Sequence, residues 1–312
     1  MSKRGARWIL LLTSVVLLNV IACSEDDVNF KSIFSIRLSG GMNYLPLEDI
    51  NKCLSSVNNN KTFKYWREND PSRIDGKIAQ LNSWLPDWEA ELMININPVI
   101  GVGIATSGAF NRQNESSLTY TYVGSAGNQI TTMSYEPEIQ VSMPIKLSVY
   151  YALHPRKSRN IFFTAGIGYY EGRMKQYSKY EVTDPSGGYG WSSHYWETDR
   201  KFSLGFHGGL GMEYILTKNL ALVIEARGRY VRINDFKGRR RCEFSDSLLI
   251  IEEAGSLYYF TRFDSGIGAR YADLEVWETP PESTTWDLDD LRKAALNLSG
   301  VLLKIGIRIK LF

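Results

Sequence analysis

Apolar and polar side chains alternate with a period of two in eight separate segments of this chain. The segments are 34–44, 88–96, 100–110, 139–153, 161–169, 202–216, 220–230 and 301–311. Successive side chains of a β-strand point to opposite faces, so each alternating segment predicts a strand with one apolar face. Eight such segments predict an all-β, antiparallel fold.

The apolar faces carry no charged residue, although 22% of the chain is charged. The longest face comprises Ile139, Val141, Met143, Ile145, Leu147, Val149, Tyr151 and Leu153. A Lys or Arg on the lipid face of a membrane strand costs about 2–4 kcal/mol near the midplane. The pattern therefore favours strands in contact with lipid. For any single strand, a soluble sandwich with its apolar face turned inward is the alternative.

The opposite faces of the same strands carry charges separated by glycines. They hold Arg37, Glu89, Glu91, Lys146, His207, Glu213, Glu225, Arg227, Arg229, Lys304, Arg308 and Lys310. An eight-stranded barrel is just wide enough to be filled by its own side chains, and an unpaired charge in such an interior is costly. We predict an internal salt-bridge network centred on Glu225, Arg227 and Arg229, near Lys304 and Arg308. A gated polar path through the lumen is the alternative.

The connections between these segments alternate between short and long. The short ones are 95–98, 154–160 and 217–219, and the long ones are 46–87, 111–138, 171–201 and 234–297. This alternation predicts an eight-stranded up-and-down transmembrane β-barrel with long extracellular loops and both termini in the periplasm. Aromatic residues are expected as two interfacial girdles. Tyr44, Trp88, Phe110, Tyr169, Phe202 and Tyr230 form one, and Phe34, Tyr151, Phe163 and Tyr214 the other.

The N-terminal segment has the features of a secretory signal. Lys3, Arg4 and Arg7 precede an apolar run at 8–21. We predict a signal peptide at 1–23, a periplasmic segment at 24–32 and a barrel domain at 33–312. The residues ending at Cys23 also resemble a lipobox, which predicts lipidation of that cysteine. Ordinary cleavage near the same position is the alternative.

The long loops contain further patterns. Residues 47–54 and 287–297 predict short helices, the second with Leu288, Leu291 and Ala295 on one face. Residues 117–123 predict a strand paired with 130–135, which would extend the barrel sheet and expose an edge to a partner strand. Residues 257–263 predict another strand. Together these elements are expected to cap the barrel.

Two cysteines and one basic cluster lie in these loops. Cys53 and Cys242 form an even pair in an oxidising compartment, which predicts a disulfide; two free or separately buried thiols are the alternative. Arg239, Arg240 and Arg241 predict a solvated basic turn. Contact with lipopolysaccharide phosphates is the second interpretation of this cluster.

The sequence contains few candidates for catalysis or cofactor binding. His154, His194 and His207 have no orienting acid at a recognised spacing. No metal-ligand or phosphate-loop motif is present, so we predict no enzyme, no metal and no cofactor. With 36 basic and 34 acidic residues, the net charge is +2, which argues against nucleic-acid binding.

Three segments carry a family resemblance: 34–41, 206–211 and the C-terminal 306–312. Over about 33–312 the chain resembles the small eight-stranded outer-membrane barrels grouped around OmpA, OmpX and OmpW, and especially the bacterial outer membrane beta-barrel domain proteins. The resemblance implies a multi-pass protein of the Gram-negative-type outer membrane. It also implies a monomer that contacts outer-membrane lipids and lipopolysaccharide, and insertion by the barrel assembly machinery. The C-terminus departs from the family because Leu311, not Phe312, holds the lipid-facing position.

The expected function is a non-enzymatic structural or surface-interaction role through the extracellular loops, with an unidentified ligand. A narrow OmpW-like channel for small apolar or anionic solutes is the alternative. A lipid-modifying enzyme is a more distant third.

Overall fold

The computed structural model describes residues 33–124, 127–153, 159–245, 249–264, 269–282 and 287–311. The predicted signal peptide with Cys23, the 24–32 segment, His154 and Phe312 lie outside this part of the chain. The described residues form nineteen strands, numbered β1–β19 in chain order, and two α-helices, α1 (Glu48–Asn58) and α2 (Lys61–Asn69). A 3-10 turn, Pro71–Arg73, follows α2. None of the helices in the described chain is long and apolar enough to cross a membrane.

Eight of the strands pair antiparallel around a closed ring. They are β1 (Phe34–Tyr44), β3 (Trp84–Asn95), β4 (Ile100–Ser107), β8 (Ile145–Ala152), β9 (Arg159–Thr183), β11 (Lys201–Ile215), β12 (Leu220–Tyr230) and β19 (Gly300–Lys310). Each pairs with the next in this order. The ring closes where β19 pairs with β1, from Ser35 opposite Lys310 to Tyr44 opposite Val301. The all-β antiparallel ring predicted from the alternation is confirmed.

The other strands lie beyond one end of the ring. They are β2 (Ile74–Gly76), β5 (Phe110–Gln113), β6 (Ser116–Gly124), β7 (Gly127–Val141), β10 (Tyr189–Thr198), β13 (Arg232–Ile233), β14 (Lys237–Phe244), β15 (Ile250–Asp264), β16 (Ala269–Trp277), β17 (Leu288–Lys293) and β18 (Leu296–Asn297). We call the described parts of 45–83, 108–144, 172–200 and 231–299, which include both helices, the distal domain. Strand β9 runs from the ring into it, where it pairs with β7 and β10. The sheet is therefore more extensive than an eight-stranded barrel alone.

The main apolar core lies in the distal domain. Helix α1 buries Ile50, Cys53, Leu54 and Val57, which share one face at helical spacing. Asn60 begins α2 by accepting a hydrogen bond from the backbone N–H of Thr62 at 2.9 Å. The same core includes residues of β6, β7, β15 and β16, and it continues to Leu85 and Tyr170 of the ring. The buried side chains at its centre include Leu118, Ile139, Phe236, Leu257 and Val276.

The ring has its apolar side chains outside and its charged side chains inside. The predicted apolar positions Leu92, Leu147 and Leu303 are 45%, 48% and 55% exposed, whereas Glu89 and Arg227 are each 2% exposed. A soluble barrel would have the opposite arrangement, because water would face the outside. The predicted direction of the alternation is therefore confirmed in the ring.

The predicted fourth segment, 139–153, is not one strand. Strand β7 ends at Val141 and β8 begins at Ile145. Pro144 lies between them, and proline cannot donate a backbone hydrogen bond to a ladder. Ile139 and Val141 are consequently buried in the distal core, with 0% and 3% exposure, and do not belong to the outer face of the ring. Segment 100–110 is also not one strand, since β4 ends at Ser107 and β5 begins at Phe110.

The predicted helix at 287–297 is wrong. This segment forms β17 and β18, and Asp287 and Asp290 have φ angles of 46° and 50°, which no right-handed helix contains. Strand β17 pairs with β15 at the edge where the pairing of β14 with β15 ends. An unpaired sheet edge offers backbone hydrogen bonds that outweigh a weak local helical preference.

The other loop predictions agree with the structure. The helix predicted at 47–54 corresponds to α1, and the strand predicted at 257–263 lies within β15. The predicted hairpin is formed by β6 and β7. Its outer edge is partly covered, because β2 pairs with β6 at Leu118–Tyr120. The exposed sheet edge is therefore shorter in the structure than the sequence predicted.

Candidate functional site

The interior of the ring contains a network of buried charges centred on Glu89. Its carboxylate accepts from Lys146 at 2.6 Å and Arg227 at 3.1 Å, and it also binds Lys304. A guanidinium nitrogen of Arg37 lies 3.7 Å away. These side chains come from five strands of the ring, β1, β3, β8, β12 and β19. The network therefore links the strands across the lumen.

Two further carboxylates complete the central network. Glu225 contacts Arg227 at 2.9 Å, Arg37 at 3.2 Å and Lys304 at 3.4 Å. Glu91 contacts Arg37 at 2.5 Å and accepts a 2.6 Å hydrogen bond from the hydroxyl of Tyr150. Burying a charge destabilises a protein unless the charge is paired and hydrogen-bonded, as these three carboxylates are.

A separate group lies at the end of the lumen near the short turns. Arg308 contacts Glu213 at 3.1 Å and donates to Asn95 at 2.7 Å and Ser35 at 2.9 Å. Lys310 lies 3.8 Å from Glu213. The buried apolar side chains Met93, Tyr150, Phe162 and Val223 cluster in this half of the lumen. A cavity of about 40 Å³ remains here, lined in part by Arg308 and Phe162.

The opposite end of the lumen is covered by the distal domain. Arg229 donates to the backbone carbonyl of Leu298 at 2.9 Å and lies over the ring of Tyr170, 5.4 Å from its centroid. His207 is buried and forms a 2.9 Å hydrogen bond between its Nε2 and Ser148 Oγ. The contacts of Arg229 thus join the ring interior to the distal core.

Glycines make room for these interior side chains. A Cβ at Gly103 would overlap the carboxylate of Glu91, and a Cβ at Gly211 would overlap the ring of Phe162. The glycines that alternate with charges in the sequence therefore provide space for large side chains reaching across a narrow lumen.

The structure brings most of the predicted lumen residues together but assigns their roles differently. Arg37, Glu89, Glu91, Lys146, Glu225, Arg227 and Lys304 form one network. Its centre is Glu89, whereas the sequence predicted a centre at Glu225, Arg227 and Arg229. Glu213 and Arg308 form the separate pair near the turns, and Arg229 contacts the distal domain. Sequence reasoning missed Tyr150, although its position two residues from Ser148 and four from Lys146 places it on the inward face.

The predicted disulfide between Cys53 and Cys242 is not formed. Both thiols are free and buried. Cys53 lies in the core face of α1, where burial raises the pKa of its thiol well above the usual value. Cys242 lies on β14 with its Sγ 3.2 Å from His194 Nδ1, and burial raises the pKa of this thiol to about 11. Each cysteine has its own packing environment, so neither is directed at the other.

The basic cluster 239–241 is not a turn. It lies on β14, and each arginine has acidic partners on neighbouring strands. Arg239 pairs with Glu197 at 3.0 Å and Arg241 with Glu252 at 3.1 Å. Arg240 is buried beneath them. The turn expected from the sequence is therefore wrong, although Arg239 and Arg241 are solvated as expected, with side chains 76% and 48% exposed.

A closed antiparallel ring, apolar outside and ionic inside, defines a membrane β-barrel. The family described as "Outer membrane protein beta-barrel domain" matches residues 69–241 of this chain, which is more than half of its length. The chain belongs to this family of bacterial outer-membrane proteins. No curated protein matches the sequence.

Three solved structures are similar to this chain at low identity and low TM-score. A major outer membrane protein from Thermus thermophilus is 12% identical over 89% of this chain and 98% of its own, with a TM-score of 0.33. OprG from Pseudomonas aeruginosa is 11% identical over 91% and 99%, with a TM-score of 0.37. The outer membrane protease OmpT from Escherichia coli is 9% identical over 89% and 96%, with a TM-score of 0.25.

Proposed function

We propose that this chain is a non-enzymatic outer-membrane protein whose ring crosses the membrane as an eight-stranded barrel with a closed lumen. Its distal domain is the extracellular, interacting part. The observation that carries the proposal is the paired charge network around Glu89, which fills the middle of the ring.

Three layers support a closed lumen. The apolar cluster that includes Phe162 lies nearer the turns, the charges around Glu89 lie in the middle, and the distal core continues down to Leu85 and Tyr170 at the other end. Interior side chains of an eight-stranded barrel are expected to fill it. A solute could cross only if several buried ion pairs were broken together, which is energetically costly.

The outer surface of the ring supports the membrane placement. Exposed aromatic residues lie near both ends of the ring strands, with Trp88, Phe202 and Tyr230 toward the distal domain and Phe163 and Tyr214 toward the turns. Such rings are typical of the two membrane interfaces. The described chain begins and ends on the side of the short turns, which favours a periplasmic location for both ends and an extracellular distal domain.

The tips of the distal hairpins support an interaction role. Tyr122, Val123, Ile130, Tyr189 and Ile250 are exposed there, far along the sheet from the ring. Ile130 and Tyr189 both lie opposite Thr183, one on each side of β9. Exposed apolar residues that group together on a protein surface commonly mark a contact site for another molecule.

The buried Ser148 and His207 pair supports a non-enzymatic role. His207 Nε2 contacts Ser148 Oγ, as in a nucleophile and base pair, but both residues are buried inside the ring. His207 Nδ1 has no hydrogen-bond partner among the described residues. An acid at that nitrogen normally orients the imidazole for catalysis. This pair therefore fits a structural hydrogen bond.

Planar-bilayer recording of the refolded protein tests the closed lumen. We expect no stable unitary conductance from the wild type, with insertion checked by the heat-dependent shift in electrophoretic mobility. Stable unitary conductance that changes in Arg227→Ala, but not in the exposed control Arg239→Ala, would contradict the proposal. Such a result would show a path through the ring interior and favour a channel.

A further inference from the structure

We propose that the distal domain binds one transition-metal ion of the Zn²⁺ class through His194, Cys242 and Glu275. These residues come from β10, β14 and β16, and their donor atoms all lie within 4.8 Å of one another. The proposal goes beyond the function given above and does not depend on whether the lumen is closed.

The three donor atoms converge from different strands. His194 and Cys242 lie directly opposite each other in the β10 and β14 pairing, with Sγ 3.2 Å from Nδ1. Glu275 Oε1 lies 3.9 Å from the same nitrogen. On a tetrahedral Zn²⁺, bonds of about 2.3 Å to sulfur and 2.0 Å to nitrogen place these two atoms about 3.5 Å apart. The observed spacing of Sγ and Nδ1 is close to that value, and a rotation of the Glu275 side chain that brings Oε1 nearer to Nδ1 completes the site.

The surroundings of the site carry an excess of negative charge. Arg240 contacts Glu275 at 2.5 Å and Glu253 at 2.9 Å, and Arg262 contacts Asp273 at 3.0 Å. Three carboxylates therefore share two guanidinium groups among the described residues at this place. Bound metal adds the missing positive charge, and Arg240 orients the ligating carboxylate as an outer-shell partner.

The geometry disfavours a catalytic Cys, His and Glu triad. In such a triad the nucleophile and the acid contact opposite nitrogens of the imidazole. Here Sγ and Oε1 both lie nearest to Nδ1, so the three groups converge on one point. Cys242 is also only 4% exposed, and reactive thiols need access to solvent and substrate.

The site opens onto a cavity on one side. A cavity of about 340 Å³ is lined by His194, Glu275, Asp273, Gln176 and Ser178, among others. It provides a route for the ion and space for a fourth ligand such as water. One thiolate, one imidazole and one carboxylate favour Zn²⁺ over the oxygen-preferring Mg²⁺ and Ca²⁺.

Metal titration of the full folded chain in detergent micelles tests the proposal. The protein is reduced, stripped with a chelator and titrated with Co²⁺, and bound Co²⁺ is then displaced with Zn²⁺. We expect one Co²⁺ per chain, with near-ultraviolet absorption from thiolate-to-Co²⁺ charge transfer. His194→Gln and Glu275→Gln are expected to weaken binding by about tenfold or more.

Matched cysteine variants locate the site. Cys242→Ser is expected to abolish the charge-transfer band, whereas Cys53→Ser, the same change at the other buried thiol, leaves it intact. Each variant is checked for heat-modifiable mobility, which reports the folded ring. The absence of stoichiometric binding by the wild type, or a band that survives Cys242→Ser, would overturn the metal site. Neither result changes the interpretation of the conductance experiment, so the metal site and the closed lumen are tested independently.

Discussion

Glu89 has the most charged partners of any carboxylate in the described ring. Three cations contact it directly, and a fourth, Arg37, lies nearby. Burial of a single carboxylate costs several kcal/mol, and this cost is offset only by close, well-directed partners. Its central role follows from position, since Glu89 lies at the middle of β3 and faces charges from strands that are distant in sequence. The alternation of side chains along β3 predicts that Glu89 points inward, but it does not predict which residues pair with Glu89.

We expect Glu89→Gln to lower the free energy of unfolding by about 3–5 kcal/mol, because buried cations lose their shared counter-charge. Urea titration of the folded protein in lipid vesicles, followed by tryptophan fluorescence, measures the change. The control is Glu68→Gln on the exposed surface of α2, where a change within about 0.5 kcal/mol is expected. Equal unfolding midpoints for the two variants would show that the network contributes no stability.

At the scale of elements, Asp49 of α1 joins this helix to β17 and to the residues just before β18. Arg292 donates to both oxygens of Asp49, at 2.8 and 2.7 Å, and the backbone N–H of Ala295 donates to the same carboxylate at 2.9 Å. Helix α1 could be predicted because its apolar face has a clear helical period. Strands β17 and β18 could not, because their conformation depends on the edge of β15 and on Asp49, which is far away in sequence.

Replacing Asp49 with Asn is expected to loosen β17 and β18 by about 1.5–3 kcal/mol, the usual range for a hydrogen bond to a charged group. Amide hydrogen exchange in 288–297, followed by mass spectrometry, should become at least about tenfold faster if exchange reports local opening. The control is Glu68→Gln, an acid-to-amide change at an exposed position of α2, for which exchange in 288–297 is expected to stay unchanged. Unchanged exchange in Asp49→Asn would contradict this interpretation.

At the scale of the whole molecule, the ring and the distal domain present different surfaces. The ring presents an apolar outer surface to lipid, and the distal domain has its own core with exposed hairpin tips. The short turns and the ends of the described chain lie on the opposite side. This arrangement supports one orientation in the membrane, in which the distal domain faces outward.

Single cysteines placed on the two sides test this orientation. Tyr65 on α2 is 61% exposed in the distal domain, and Asn97 lies exposed in a short turn. We expect Tyr65→Cys to react with a membrane-impermeant maleimide on intact cells, and Asn97→Cys to react only after the outer membrane is permeabilised. The buried thiols at 53 and 242 should remain unlabelled in both variants. The reverse pattern of labelling would invert the proposed topology.

The sequence by itself determined which segments form the ring and, within the ring strands, which side chains face outward or into the lumen. This was possible because alternation is a local property of a strand. Successive side chains point to opposite faces, so an apolar outer face and a polar inner face appear in the sequence as a period of two. The sequence wrongly extended two of these segments to Ile139, Val141 and Phe110, which belong to the distal domain. It also indicated α1 and the β6 and β7 hairpin, both of which depend on neighbours close in the chain.

Only the tertiary structure decided the partners of those side chains. The centre of the lumen network, the free state of Cys53 and Cys242, and the grouping of His194 with Glu275 depend on strand pairings between distant segments. Periodicity contains no information about such pairings, because many registers satisfy the same alternation. Segment 287–297 illustrates the limit, since backbone hydrogen bonding at an open sheet edge overrode its local helical pattern.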